Sequence, residues 1–207
     1  MREMSVTEGL VELKLLSKRI NQAISSANWC GVAKKASREI DGERKDSFMK
    51  KVKADYESVI ALIKNRADIK SAIVNSNAET IVEIAGERMT VAEAIERKSS
   101  IEFEKSLLRS LTTEYSDAKN ALVLADGKME NAIKDMSVSL AGSEKKNLGE
   151  EQEALIQAFR KANEMEIVDP LSIEKTINDL QERIDRFEAN VDIVLSMSNA
   201  VTKITVE

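Results

Sequence analysis

Apolar residues recur every seven positions along one stretch of this chain: Ile101, Leu108, Tyr115, Leu122, Met129 and Met136. A second row, three places on, reads Glu104, Leu111, Ala118, Ala125 and Ala132. A narrow seam of that period predicts one long helix packed lengthwise against others, as in a coiled coil. A cleaner seam lies further on, where Ile173, Ile177, Leu180, Ile184, Phe187, Val191 and Val194 follow in steps of four and three. Val6, Leu13, Leu16, Ile20 and Ala23 make a helical stripe near the start. Phe48, Val52, Val59, Leu62, Ile69 and Ile73 make another.

Two stretches alternate instead. Thr80, Val82 and Ile84 share one face of a short strand, with Ile81 and Glu83 on the other. Ala85 to Arg88 supplies a turn, and Met89 begins a return strand. Thr90-Val91-Ala92-Glu93 is a capping box, which starts the long helix at Val91. Val201 to Val206 alternates again, with Val201, Lys203 and Thr205 opposing Thr202, Ile204 and Val206.

Punctuation sets the bounds. Asn75-Ser76-Asn77 and Ser198-Asn199 end their helices, because such side chains compete for backbone hydrogen bonds. Asp169-Pro170 opens a helix, with aspartate as N-cap and proline in the first helical position. Asp126-Gly127 is a weak point, but the seam stays in phase across it. The expected helices cover residues 4–27, 44–74, 91–137, 151–164 and 170–198, and the strands 80–84, 88–90 and 201–206. Residues 139–150 form a polar loop. If the long and final helices pack antiparallel, the strands beside them meet at one end. The fold class is therefore mainly α: one elongated domain over residues 1–207, an antiparallel helical bundle or coiled coil with a small three-stranded sheet at one end.

Composition narrows the chemistry. Charged residues make up 32% and aromatics only 3% of the 207 residues, which suits helices packed side by side. The net charge of -5 argues against coating of nucleic acid. The one basic stretch, Gly31 to Lys53, holds eight lysines and arginines against four carboxylates. Its one aromatic, Phe48, belongs to the core stripe, so it lacks the interleaved aromatics that stack on bases. The single cysteine, Cys30, follows Trp29 and reads as a break between helices; alone, it gives no sign of a disulfide framework. Charges within Met1 to Lys18 interrupt any signal-like apolar run, and no window spans a bilayer. The expected location is cytoplasmic, without membrane contact.

The chain has no histidine, which removes Ser-His-Asp and Cys-His nucleophilic arrangements and His-based metal sites. No phosphate-binding glycine loop appears. The chain reads as non-enzymatic, without cofactor or metal. The best candidate ligand site is the sheet end, where Asn75, Asn77, Arg88, Thr90 and Asn199 gather and Lys98 lies one to two turns down the long helix. Free amides at that helix start favour an anion.

The run from Val82 through Glu87-Arg88-Met89-Thr90-Val91 to Lys98 resembles the hairpin-into-helix element of a group of uncharacterised, largely bacteriophage-encoded helical proteins. So do Asp169-Pro170-Leu171, Val191-Asp192, Ser198-Asn199-Ala200 and the Thr202 to Val206 close. More loosely, the hairpin and its helix are similar to septicolysin-like proteins. The resemblance covers about half the chain and carries no catalytic residues. It implies a phage context, hence host cytoplasm. Two roles follow: a helical structural or interaction protein that self-associates through its seams, or an oligomeric counter-defence sponge that sequesters an anionic, nucleotide-like signal.

Overall fold

The structure is a computed structural model and describes residues 1–141 and 149–206. In chain order the elements are β1 (Arg2–Ser5), α1 (Val6–Ser26), β2 (Glu39–Ile40), β3 (Glu43–Arg44), α2 (Lys45–Glu79), β4 (Ile81–Ile84), β5 (Glu87–Thr90), α3 (Val91–Ala141), α4 (Glu150–Asn163), α5 (Ile173–Val201) and β6 (Lys203–Val206). The chain is mainly helical. It divides into two compact units, Met1–Ser99 with Arg186–Glu207, and Ser100–Asp185. Among the described residues, the first holds every strand and the whole of α1 and α2.

The expected three-stranded sheet is not formed. Among the described residues, three separate antiparallel pairs take its place: β1 with β6, β2 with β3, and β4 with β5. The reason is β1. Residues 2–5 read as the approach to a helix, yet Ser5 is the N-cap of α1, in a capping box with Glu8. Capping there leaves Arg2 to Ser5 extended and available to β6, with Met4 opposite Ile204. The β2–β3 hairpin was also unforeseen. Its turn is Asp41-Gly42, both at positive φ (49° and 80°), the conformation of a tight two-residue hairpin turn.

Both asparagine-rich helix ends run longer than expected. The helix α2 continues past Asn75-Ser76-Asn77 to Glu79, and the Thr80 N–H donates to the Ser76 carbonyl at 2.9 Å. The helix α5 continues past Ser198-Asn199 to Val201, and the Thr202 N–H donates to the Ser198 carbonyl at 2.9 Å. A strand with its alternate residues buried follows each helix, and it holds the last turn in place.

The stripes predicted from periodicity are the buried ones. Val6, Leu13, Leu16 and Ile20 of α1 are buried, as are Val59, Ile69 and Ile73 of α2. Gly9 lets α1 lie close over this core: a Cβ there would stand 3.1 Å from Ile204 Cδ1 and 3.2 Å from Ile73 Cδ1. In β4 and β6 the alternate residues Val82, Ile84, Ile204 and Val206 are buried.

In the second unit, α5 runs antiparallel to α3. Arg183 pairs with Glu104 at 3.1 Å, and the Tyr115 hydroxyl donates to Glu174 at 3.0 Å. Further along α3 the partner changes to α4: Arg160 pairs with Glu130, and the Gln152 amide donates to the Leu140 carbonyl at 3.1 Å. The seam shifts where the partner changes. Through Met129 the heptad positions face inward, but Ala132 is exposed and its neighbour Ile133 is buried. The helix is unbroken at Asp126-Gly127. Asp169 does cap α5, from four residues ahead of its first turn: its carboxylate accepts from the Leu171 N–H at 3.1 Å and the Ile173 N–H at 2.8 Å. Pro170 lies in the turn before the helix. Of the expected polar loop, residues 142–148 lie outside the described residues, while Ser139 to Ala141 are helical.

Candidate functional site

The six residues singled out for a ligand all belong to the first unit. Thr90 is the N-cap of α3. Its hydroxyl oxygen accepts from the Glu93 N–H at 3.1 Å, and the Glu93 carboxylate accepts from the Thr90 N–H at 2.6 Å and from its hydroxyl at 2.9 Å. The bond from the Thr90 backbone, then that from its hydroxyl, holds the Glu93 carboxyl below its ordinary pKa. The Val91 N–H donates to the Thr80 carbonyl at 2.9 Å. Two amides that would meet an anion at this helix start are thus engaged within the protein.

Lys98, two turns further, forms an ion pair with Asp192 of α5. Arg88 is exposed on β5, opposite Glu83 in the strand register. Asn75 is exposed and Asn77 half-buried in the last turns of α2, and Asn199 is half-buried in the last turn of α5. Thr90 and Lys98 therefore serve the fold, and Arg88 and Asn75 are the members that present polar groups to solvent.

A second feature escaped the sequence reading. Ile24, Trp29, Tyr56, Ile60 and Ile63, with Lys53, line a groove of about 610 Å³ on α1 and α2. Trp29 stands edge-on to Tyr56, with ring centroids 6.5 Å apart and planes at 90°. Tyr56 is 59% exposed and Ile60 47%. The groove exists because α1 stops at Ser26 while α2 starts far ahead of that contact. The intervening segment fills only part of the gap. It is pinned where Gly31 passes beneath Ile40 and Phe48; a Cβ on Gly31 would fall 2.5 Å from Ile40 Cδ1. Trp29 is left as one wall. The signal was present in Tyr56, Ile60 and Ile63, whose steps of four and three lie beside the Val59 stripe and widen the apolar arc of α2.

Among the described residues, no group of three or more Asp, Glu or Cys side chains is placed to hold a metal ion. No helix among them is long and apolar enough to cross a membrane. Cys30 is exposed. Compared with protein-family models, curated proteins and solved structures, the chain matches none.

Proposed function

We propose that this chain is a non-enzymatic helical interaction protein that self-associates, with the Trp29–Tyr56 groove seated against a second copy. The groove carries the reading. Five large apolar side chains are left together in partial contact with water, a grouping that marks interaction surfaces more often than chance exposure does. Charge favours a second copy as occupant. The groove adjoins the Gly31 to Lys53 stretch, which carries four net positive charges, and the rest of the chain carries nine net negative ones within the total of -5. Like copies therefore attract when the basic end of one meets the remaining surface of another. The lack of any histidine supports a role without acid–base or nucleophilic chemistry.

Sedimentation velocity at tens of micromolar tests this. A dimer or larger species is expected, and Tyr56→Glu with Ile60→Lys should reduce it to monomer while leaving the circular dichroism unchanged. A wild-type chain that sediments only as monomer overturns the proposal.

The second reading, a phage-type oligomer that sequesters an anionic nucleotide-like molecule, rests on the resemblance and on exposed Arg88 beside the strand pair. It predicts an added mass of a few hundred daltons in native mass spectrometry of gently purified protein, lost in Arg88→Ala. No added mass removes this reading and leaves self-association untouched.

A further inference from the structure

The first unit contains the same arrangement twice. In one place it is continuous: α2, Thr80, β4, a two-residue turn, β5, Thr90, α3. In the other it is assembled from distant segments: α5, Thr202, β6, then β1, Ser5, α1. The sequences that close the two leading helices are Ser76-Asn77-Ala78-Glu79-Thr80 and Ser198-Asn199-Ala200-Val201-Thr202. Those that open the two following helices are Met89-Thr90-Val91-Ala92-Glu93 and Met4-Ser5-Val6-Thr7-Glu8.

The geometry agrees bond by bond. The strand pairs have one register: Val82 opposite Met89 corresponds to Ile204 opposite Met4, and Ile84 opposite Glu87 corresponds to Val206 opposite Arg2. The Val91 N–H donates to the Thr80 carbonyl at 2.9 Å, and the Val6 N–H to the Thr202 carbonyl at 3.0 Å. Both helix starts carry a complete capping box, and Glu8 and Glu93 are alike in having their carboxyls pulled below the ordinary value by the bond from the cap residue's backbone. An ion pair ties strand to helix in each copy with its sign reversed: Glu87 with Arg97, Arg2 with Glu12.

The helix contacts correspond as well. Lys98 faces Asp192 where α3 meets α5. The counterpart positions hold buried Leu13 and exposed Lys70, so the ion pair is not repeated; what corresponds is the register, which the Gly9–Ile73 approach and the Arg66–Ser17 bond of 3.0 Å set between α1 and α2. Each copy thus lays its helices on those of the other.

We infer that the first unit is an internal duplication of one helix–strand–strand–helix module, and that the β1–β6 joint is the β4–β5 hairpin without its turn. The turn is therefore movable. Ala85-Gly86 closes β4 to β5 with φ of 55° and 85°, and the same two residues placed between Val206 and Arg2 would close β6 to β1.

The test is a full-length permuted chain, opened between Ala85 and Gly86, with Val206 joined to Arg2 through Ala-Gly. A second version with a four-residue Gly-Ser join separates a tight turn from a wrong premise. At least one version should keep the far-ultraviolet helical signal and unfold cooperatively within about 10 °C of the unpermuted protein. Hydrogen exchange should show protection moving with the turn, rising at β1 and β6 and falling at β4 and β5. Loss of helicity in both versions overturns the inference, as does a folded version in which protection at the two strand pairs is unchanged.

Discussion

The continuous and the split modules of the first unit agree on the inside near their strands and differ on the outside. Inner positions nearest the strands exchange one aliphatic for another: Ile69 for Val191, Ile73 for Leu195, Val82 for Ile204, Ile84 for Val206, all buried. Further along the helices the match ends, where buried Leu13 corresponds to Lys98 and buried Phe187 to exposed Asn65. Outer positions exchange kind. On α5, Ile193, Met197 and Val201 are exposed at 60%, 65% and 74%. Their counterparts on α2 are the exposed Ser71, Asn75 and Glu79. Close packing constrains what faces the core, whereas a solvated position tolerates change at little cost in stability. One molecule thus holds two solutions of the same packing problem, and each can be used to interrogate the other.

The most severe challenge to that equivalence is truncation of its paired core residues. Ile73→Ala and Leu195→Ala should each lose about 3 kcal/mol, from lost burial plus the cavity left behind, measured as shifts in the urea midpoint. One costing under about 1 kcal/mol would show that the two sites are packed differently. The caps come next. Ser5→Ala and Thr90→Ala should each cost about 1 kcal/mol in the same measurement. Glu8 and Glu93 have depressed folded-state pKa values, so what they contribute is present at neutral pH and is lost as pH falls through the carboxylate range. The double variant Ser5→Ala/Thr90→Ala should therefore show a shallower acid limb of stability against pH, and an unchanged limb would deny both boxes their role.

A subtler comparison concerns volume. Gly9 lies against Ile204, Ile73 and Ile69, the nearest carbons 3.1 to 3.5 Å from where its Cβ would be. The corresponding residues of the other module are Ala94 with Val82, Leu195 and Val191. A methyl group added at the helix is matched by methylenes removed opposite it. Gly9→Ala should accordingly couple favourably with Ile204→Val, by about 1 kcal/mol in a double-mutant cycle. Additivity of the two would mean the exchange is coincidental. Smallest of all, Ile193→Ser, Met197→Asn and Val201→Glu, each installing the residue of the polar counterpart, should shift stability by no more than about 0.5 kcal/mol. A larger loss would place that face in a contact within the folded chain.

Long periodic helices were legible in the sequence because a buried stripe leaves its period in the residues. The inward faces of α1, α2 and α5 are those the spacing predicts, and Thr90-Val91-Ala92-Glu93 marks the start of α3 correctly. The misreadings are of contacts that no local pattern encodes. Residues Arg2 to Ser5 are too few to show alternation, and only their partner β6, far along the chain, makes them a strand. The capping box at Ser5 was the one local clue. Asp41-Gly42 signalled a hairpin that a polar, basic stretch concealed. Asn75 and Asn199 suggest helix ends by their chemistry, yet a strand anchored beyond each keeps the helix wound for another turn. Of the candidate ligand residues, Thr90 and Lys98 find partners inside the protein, Lys98 through Asp192 on a helix far along the sequence. The apolar groove was hidden for a different reason: its residues sit on the flank of a stripe that already accounted for the helix.

The displaced seam of α3 has a bearing on which helices this one can accept. From Leu122 the inward positions run Ala125, Met129, Ile133 and Met136, with Ala132 turned to solvent. The step from Leu122 to Ile133 is eleven residues over three turns, close to the natural pitch of a straight helix, where a heptad repeat demands a left-handed wrap. A helix with an uninterrupted seven-residue repeat would meet exposed Ala132 just beyond Met129 and miss buried Ile133, before Met136 returns to the heptad row. Within the second unit α3 thus serves two partners in turn, α5 along one stretch and α4 along the other, and Ile133 in place of Ala132 marks the change in phase between them.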